Sequence, residues 1–290
     1  MRFVMTIYEE ARLGLPVSVP IIDAHSHLQS YYLHQWYVSP DSVSPEAYID
    51  CLDRLGFDCV VTGPHDLVLG CMESSNAYAA EISELLDGRV YGYIVISPVA
   101  GMKAVKEQIR LYQDNPRFVG FGFLPGYNGQ LDEPAYQYAI KVADELRAPV
   151  EVHTWYDNPP LREVARLAEE NPGAKVICAH QGGGTAELSD RLGAMMREIP
   201  NLYVDNVGSL ENTYGMEEMV EVFGEDRIVF GTDMVSLDPR FDFGRLALAP
   251  LSDDTKRKIF ADNFQRLLWG SYMGKINLNG KLTAECSTNS

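Results

Sequence analysis

The chain lacks the sequence features of several protein classes. It has five cysteines, an odd number, and no Cys-x-x-Cys pair, so no disulfide framework is predicted and a reducing cytoplasm is the expected location. No run approaches the roughly 20 apolar residues of a membrane span, and the N-terminal apolar run is too short for a signal peptide. Lys and Arg number only 24 against 41 Asp and Glu, and the resulting net charge of −17, without any basic stripe, argues against nucleic-acid binding.

What the chain does contain is a regular alternation of strand-like and helix-like runs. Hydrophobic periodicity and turn residues predict eight short apolar strands, at Ile21–His25, Cys59–Thr62, Val90–Ile96, Phe118–Phe123, Pro149–His153, Lys175–His180, Leu202–Asp205 and Arg227–Phe230. Helical patterns lie between them, at Pro45–Leu55, Ser75–Leu86, Met102–Tyr112, Glu133–Leu146, Pro160–Glu169, Glu187–Glu198, Met216–Phe223 and Ser252–Phe260.

Eightfold βα alternation predicts a closed (β/α)8 TIM barrel, an α/β fold for which roughly 250 residues is typical. A single domain over residues 1–290 is expected, with the barrel at about 20–270 and a C-terminal extension at 271–290. An open doubly wound sheet would show the same alternation but should carry a Gly-rich turn after its first strand. None follows Ile22, so the barrel is favoured.

Four histidines and one aspartate occur where predicted strands end: His25, His27, His153, His180 and Asp233. The His-x-His pair places two imidazoles on one face of an extended strand, because successive side chains alternate. A catalytic zinc site needs three or so His or carboxylate ligands and one open position. The carboxyl ends of barrel strands supply active-site groups, so a metal site is predicted there.

These motifs resemble the amidohydrolase superfamily, and look most like its amidohydrolase-related branch, which includes the aminocarboxymuconate semialdehyde decarboxylase group. The resemblance spans about Ile21 to Trp269 and also includes the run Ala-Asp-Asn-Phe-Gln-Arg-Leu-Leu at 261–268. It implies one divalent metal, with zinc first and manganese or iron as alternatives. The implied ligands are His25, His27, His153 and Asp233, and the resemblance places His180 beside the reacting atom.

Binuclear members of the superfamily use a carboxylated lysine on strand 4 to bridge two metals. The run Phe118–Phe123 contains no lysine, so a single metal is favoured. Glu151, two residues before His153 and therefore on the same strand face, stays open as a bridging ligand or as a buried, hydrogen-bonded carboxylate.

The residue types suggest hydrolysis of a small ester, lactone or amide. A metal held by imidazoles and a carboxylate lowers the pKa of bound water toward about 7, and metal-bound hydroxide would attack the carbonyl. Asp233 would take the water proton and pass it to the leaving group, and His180 would polarise the carbonyl. The alternative is metal-dependent decarboxylation of a small aromatic or unsaturated acid, which needs a carboxylate anchor such as Arg162, Arg191, Arg240 or Arg245.

Aromatic segments after strands 1 and 5 suit a planar or apolar small-molecule substrate, but suit a packed lid or a subunit contact equally well. The predicted substrate contacts are Tyr31, His65, Trp155 and Arg240. A contact between the polar tail, from Met273 onward, and a neighbouring subunit would make the protein a homo-oligomer, which the sequence leaves open.

Overall fold

The structure is a computed structural model that describes residues 5–28, 44–64, 68, 70–208 and 215–278. Eight parallel strands form one sheet in which each strand pairs with the next along the chain. Their bounds are β1 Ile22–Ser26, β2 Cys59–Thr62, β3 Val90–Ile96, β4 Phe118–Phe123, β5 Pro149–Val152, β6 Lys175–Cys178, β7 Leu202–Asp205 and β8 Ile228–Val229.

The last strand returns to the first. The chain continues past β8 alongside β1, where the amide of Ala24 donates to the carbonyl of Phe230 at 2.9 Å and the amide of Asp233 donates to the carbonyl of His25 at 2.8 Å. An isolated parallel bridge between Ser26 and Met234 extends this contact. The sheet therefore curls into a nearly closed barrel, and the predicted (β/α)8 fold is confirmed.

Helices separate the strands. The described residues contain α1 Ile7–Arg12, α2 Pro45–Leu55, α3 Met72–Leu85, α4 Met102–Tyr112, α5 Pro134–Glu145, α6 Leu161–Glu170, α7 Ala186–Glu198, α8 Met216–Phe223, α9 Pro239–Ala247, α10 Asp253–Arg257 and α11 Asn263–Trp269. Local sequence signals set several ends. Ser44 caps α2 and Pro45 opens it, while Gly56 ends it with a φ of 72°, a conformation that glycine adopts without strain.

The predicted bounds of α2, α4 and α8 match the structure, and those of the other strand-linking helices differ by one to three residues. The remaining helices differ more. The predicted helix Ser252–Phe260 is α10 followed by a π-helical turn, Lys258–Asp262, that leads into α11. The short helices α1 and α9 were not predicted, because α1 has only six residues and α9 lacks a regular apolar stripe.

Burial follows the layers of the fold. The larger apolar cluster joins the strands to the surrounding helices, as Val60, Ile94 and Val150 pack with Leu52, Val105 and Ile140. A second cluster joins Ile22, Val61 and Val229 to Phe264, Leu267 and Leu268 of α11. No helix in the described part of the chain is long and apolar enough to cross a membrane.

Candidate active site

The five predicted site residues meet at the carboxyl-terminal end of the barrel. His25 lies in β1 and His27 directly after it, while His153, His180 and Asp233 follow β5, β6 and β8 within a few residues. His153 is partly buried, and the other four are each at most 9% exposed. Strand ends thus bring together side chains that are up to about two hundred positions apart in the sequence.

Three of them form the centre of the site. The Nε2 atoms of His25 and His27 lie 3.1 Å apart, and His27 Nε2 lies 3.2 Å from Asp233 Oδ1. Potential ligand atoms of these three residues all lie within 4.8 Å of one another. This is the close approach that a shared cation requires.

The partners of the Nδ1 atoms fix where the ring protons lie. His27 Nδ1 lies 2.6 Å from the carbonyl oxygen of Gly63, which only accepts, so this nitrogen donates. His25 Nδ1 lies 2.7 Å from Asp205 Oδ2 and donates in the same way. In the neutral rings, both Nε2 atoms therefore present lone pairs toward each other and toward the Asp233 carboxylate, an arrangement that a cation stabilises.

The charges around His25 also favour a positive charge at this position. Burial lowers the pKa of His25, but the carboxylates of Glu151 and Asp205 outweigh burial and raise that pKa well above its ordinary value. Burial also raises the pKa of Asp233, and the imidazoles of His27 and His25 outweigh it, so that this pKa is held well below the ordinary carboxyl range. Asp233 is consequently ionised at neutral pH.

His153 and His180 form a second imidazole pair beside the first. His153 Nδ1 lies 3.1 Å from His180 Nε2, while His153 Nε2 is buried without a hydrogen-bond partner. Burial lowers the pKa of His153 to about 4 and that of His180 well below its ordinary value, with neighbouring imidazoles adding to both shifts. Both rings are neutral near pH 7, as a metal ligand must be. His153 lines the same cavity as His25 and His27 but stands outside their closest group.

Two carboxylates face His25 from the opposite side. Glu151 Oε1 lies 2.8 Å and Asp205 Oδ2 lies 2.7 Å from His25 Nδ1, yet Glu151 Oε1 has no partner with hydrogen-bond geometry. The other oxygen of Asp205 accepts the amides of His180 at 2.9 Å and Val207 at 3.1 Å. Asp205 was not singled out in the sequence, although it ends β7 and shares the strand-end position of the other site residues.

The backbone at two site residues is strained. His180 and Asp233 have φ values of 54° and 58°, in the left-handed region that residues other than glycine rarely adopt. Such conformations cost on the order of 1–3 kcal/mol each and concentrate at functional sites. The amide of His180 is held by Asp205, and that of Asp233 by the carbonyl of His25.

Of the four residues predicted to contact substrate, the structure describes two, Trp155 and Arg240. The ring of Trp155 lies 5.3 Å from that of His180, next to the site. Arg240 pairs with Asp238 through a side chain that is 72% exposed. Tyr31 and His65 lie outside the described residues. Tyr127, in the loop after β4, was not predicted, and its ring lies 5.6 Å from that of His153.

Comparison with solved structures gives the same fold at low sequence identity. 2,6-Dihydroxybenzoate decarboxylase from Rhizobium has a TM-score of 0.67 and 17% identity, over 86% of this chain and 98% of that one. A dihydroxybenzoic acid decarboxylase from Polaromonas sp. JS666, with bound manganese and the inhibitor 2-nitroresorcinol, has a TM-score of 0.62 and 14% identity, over 86% and 97% of the two chains. 4-Oxalomesaconate hydratase from Rhodopseudomonas palustris has a TM-score of 0.61 and 17% identity, over 86% and 95%.

Sequence comparisons give one positive result. A search of curated proteins found no significant match. The family model described as amidohydrolase matches residues 22–268, which include all eight strands and the five strand-end residues. This chain belongs to the amidohydrolase family.

Proposed function

We propose that the protein is a hydrolase that cleaves a small ester, lactone or amide and depends on one divalent metal ion. His25, His27, His153 and Asp233 would hold the ion. Imidazole and carboxylate ligands suit zinc, manganese and iron alike. The Polaromonas enzyme was solved with manganese, which supports manganese beside zinc as the ion to test first.

The observation that carries the proposal is the convergence of acceptors. In the neutral rings that a metal ion would bind, the lone-pair atoms His25 Nε2 and His27 Nε2 lie 3.1 Å apart, and Asp233 Oδ1 is adjacent and buried without a hydrogen-bond partner. Orphaned buried acceptors are costly unless something positive binds them. His153 Nε2, also buried and without a partner, adds a further donor atom to this set.

The roles of the residues follow from their protonation states. A bound divalent ion would act as a Lewis acid and activate water near neutral pH. Asp233, ionised because its pKa is lowered, would accept a proton from water and deliver it to the leaving group. If His153 Nδ1 donates to His180 Nε2, His153 Nε2 keeps its lone pair for the metal and His180 keeps a proton on Nδ1 to donate to the carbonyl oxygen.

Decarboxylation is the second candidate, supported by the names of two similar structures. The four candidate anchors are either paired with carboxylates or exposed at the surface. Arg191 lies 3.4 Å from Asp157 and Arg245 lies 3.3 Å from the buried Asp242, while Arg162 and Arg240 have side chains more than 70% exposed. This favours hydrolysis.

The test follows both reactions on one preparation. Protein loaded with zinc or manganese would be offered a panel of lactones, aryl esters and anilides while acid release is monitored, and 2,6-dihydroxybenzoate while carbon dioxide is monitored. We expect acid release that is lost on chelation and restored by metal. Carbon dioxide release without acid release would overturn hydrolysis in favour of decarboxylation.

The Asp233→Asn variant tests the proton role in the same assay. We expect turnover to fall by about 10²- to 10⁴-fold, because the amide cannot accept the water proton. Circular dichroism serves as the control that the barrel is intact. Turnover within a few fold of wild type would exclude Asp233 as the acid/base group.

A further inference from the structure

The eight loops that follow the strands contain no lysine or arginine. In the sequence these loops comprise residues 27–44, 63–71, 97–101, 124–133, 153–160, 179–185, 206–215 and 230–238, and those of their residues that the structure describes lie at the end of the barrel that carries the site. Acidic residues are present in most of them, at Asp41, Asp66, Asp132, Glu133, Asp157, Glu211, Asp233 and Asp238.

The opposite end of the barrel differs in composition. The loops that precede β3, β4, β5 and β8 each contain an arginine, at Arg89, Arg117, Arg147 and Arg227. Loop arginines therefore lie at the end away from the site. Among the described loop residues, the absence of lysine and arginine is therefore specific to the site end and does not follow merely from the small number of basic residues in the chain.

Arginines on the helices after the loops do not offset this. Arg191 and Arg240 pair with Asp157 and Asp238, which are themselves loop carboxylates. Arg245 donates to the carbonyl of Asn206 at 2.8 Å and lies 3.3 Å from Asp242. Each of these three cations is offset by a neighbouring carboxylate, and Arg162, at the start of α6, lies 4.0 Å from Glu163 with a largely exposed side chain. None of the four is placed to balance the charge of an anionic substrate in the site.

Aromatic rings lie beside His153 and His180, two of the site histidines. Trp155 lies 5.2 Å from Tyr156 and 5.3 Å from His180 between ring centroids, and Tyr127 faces His153 at 5.6 Å. Aromatic faces bind apolar, planar bodies and favour cations over anions, because the face of a ring carries negative charge.

We infer that the site takes an uncharged or cationic ester, lactone or amide with a planar or apolar body, and discriminates against substrates that carry a carboxylate. This inference rests on the proposed function. Like charges that face each other across a binding site repel most strongly when desolvated, so a carboxylate on the substrate body would lose affinity that none of these arginines restores.

Three hydroxamic acids with the same metal-binding head test the inference without a known substrate. Benzohydroxamic acid is neutral in its body, 4-carboxybenzohydroxamic acid adds an anion, and 4-(aminomethyl)benzohydroxamic acid adds a cation. Their dissociation constants for the metal-loaded protein would be measured by calorimetry at about 0.01 M and about 0.15 M ionic strength. We expect the carboxylate probe to bind roughly tenfold more weakly than the neutral parent at low salt, and the ammonium probe to bind at least as well as the parent. The difference in affinity between the carboxylate probe and the parent should decrease as the salt concentration rises.

Charge variants locate the effect. The Asp132→Lys/Glu133→Lys variant changes the charge at the site end and should reduce the difference in dissociation constant between the neutral and anionic probes. The matched control, Asp87→Lys/Asp114→Lys, makes the same charge change in loops at the opposite end and should leave this difference unchanged.

The outcomes separate the two proposals. Equal or tighter binding of the carboxylate probe would overturn the inferred substrate class while leaving a metal hydrolase in place. An equal decrease, in both variants, of the difference in dissociation constant between the neutral and carboxylate probes would also overturn the inferred substrate class, because net charge alone would then explain the selectivity. Failure of all three probes to bind the metal-loaded protein would overturn the proposed function itself.

Discussion

The two ring nitrogens of His25 have separate partners. Nδ1 faces Asp205 and Glu151, while Nε2 faces His27. A carboxylate behind a metal-binding histidine fixes its tautomer and raises the basicity of the ligating nitrogen. Asp205 makes the shorter contact and has hydrogen-bond geometry, so it is the residue expected to orient His25.

The Asp205→Asn variant tests this orientation. An asparagine oxygen can still accept the amides of His180 and Val207, whereas one carboxylate acceptor for His25 is lost. We expect metal affinity, measured by competition with a chromophoric chelator, to fall about 10- to 100-fold. The matched variant Glu151→Gln should lose less metal affinity, because Glu151 Oε1 has no partner with hydrogen-bond geometry. The reverse order would assign the orienting role to Glu151.

The protonation of His25 also predicts how metal binding depends on pH. Burial lowers its pKa, but Glu151 and Asp205 outweigh burial and raise it, so the metal-free ring holds a proton that the metal must displace. Affinity should therefore rise about tenfold per pH unit below that raised pKa and level off above it. His153, with a pKa of about 4, should contribute nothing above about pH 5. Chelator competition at pH values from about 5 upward measures how metal affinity changes with pH. Affinity that stayed constant up to the pKa of free histidine would contradict this prediction.

Among the secondary-structure elements, the return of β8 to β1 is what joins Asp233 to His25. Gly231 lies at this junction, where a Cβ atom would come within 2.7 Å of His25 Cβ and 2.8 Å of a Val207 methyl. No real Cβ tolerates such contacts, so the strands approach closely only because residue 231 has no side chain.

The Gly231→Ala variant should force β1 and β7 apart. We expect a loss of about 1–3 kcal/mol in the free energy of unfolding, measured with urea, together with weaker metal binding because His25 is displaced. Gly244→Ala in α9 is the control, since nothing lies within 4 Å of its added Cβ; it should be neutral or stabilising by up to about 1 kcal/mol. Equal effects of the two substitutions would mean that the junction is not tightly packed.

The strands were predictable because each is a short buried run, such as Val90–Ile96, in which every residue is buried. The helices with clear capping residues, such as α2, were predictable because local residues mark where they begin and end. Helix α9 was missed although Asp238 caps it and Pro239 opens it, since its sequence Pro-Arg-Phe-Asp-Phe-Gly-Arg-Leu-Ala lacks a regular apolar stripe.

The site was only partly predictable. Strand-end position predicted that His25, His153 and His180 lie close together, but which side chains contact one another depends on which strands become neighbours and how each ring turns. The contact between His25 and Asp205 joins residues 180 positions apart, and no local pattern encodes it. The commitment of Arg240 to Asp238, two residues away, was likewise visible only once the side chains were placed.

For the whole molecule, closure of the barrel brings residues from both ends of the chain together at one site and gives the two ends of the barrel different charge. The site end combines a buried group of imidazoles and carboxylates with loops whose described residues include acids but no lysine or arginine. The metal would then be the main positive charge that a substrate meets, which accords with attack on an uncharged carbonyl compound.

The central claim is that one metal ion binds between His25 and His27. Elemental analysis of protein purified without chelator or added metal, beside the His25→Ala/His27→Ala variant, tests it most directly. The account predicts one equivalent of zinc or manganese per chain in the wild type and none in the variant. Two equivalents would place a second ion at the group formed by His25, Glu151 and Asp205, and would contradict the single-metal account. Metal retained in the variant would contradict the assignment of the ligands.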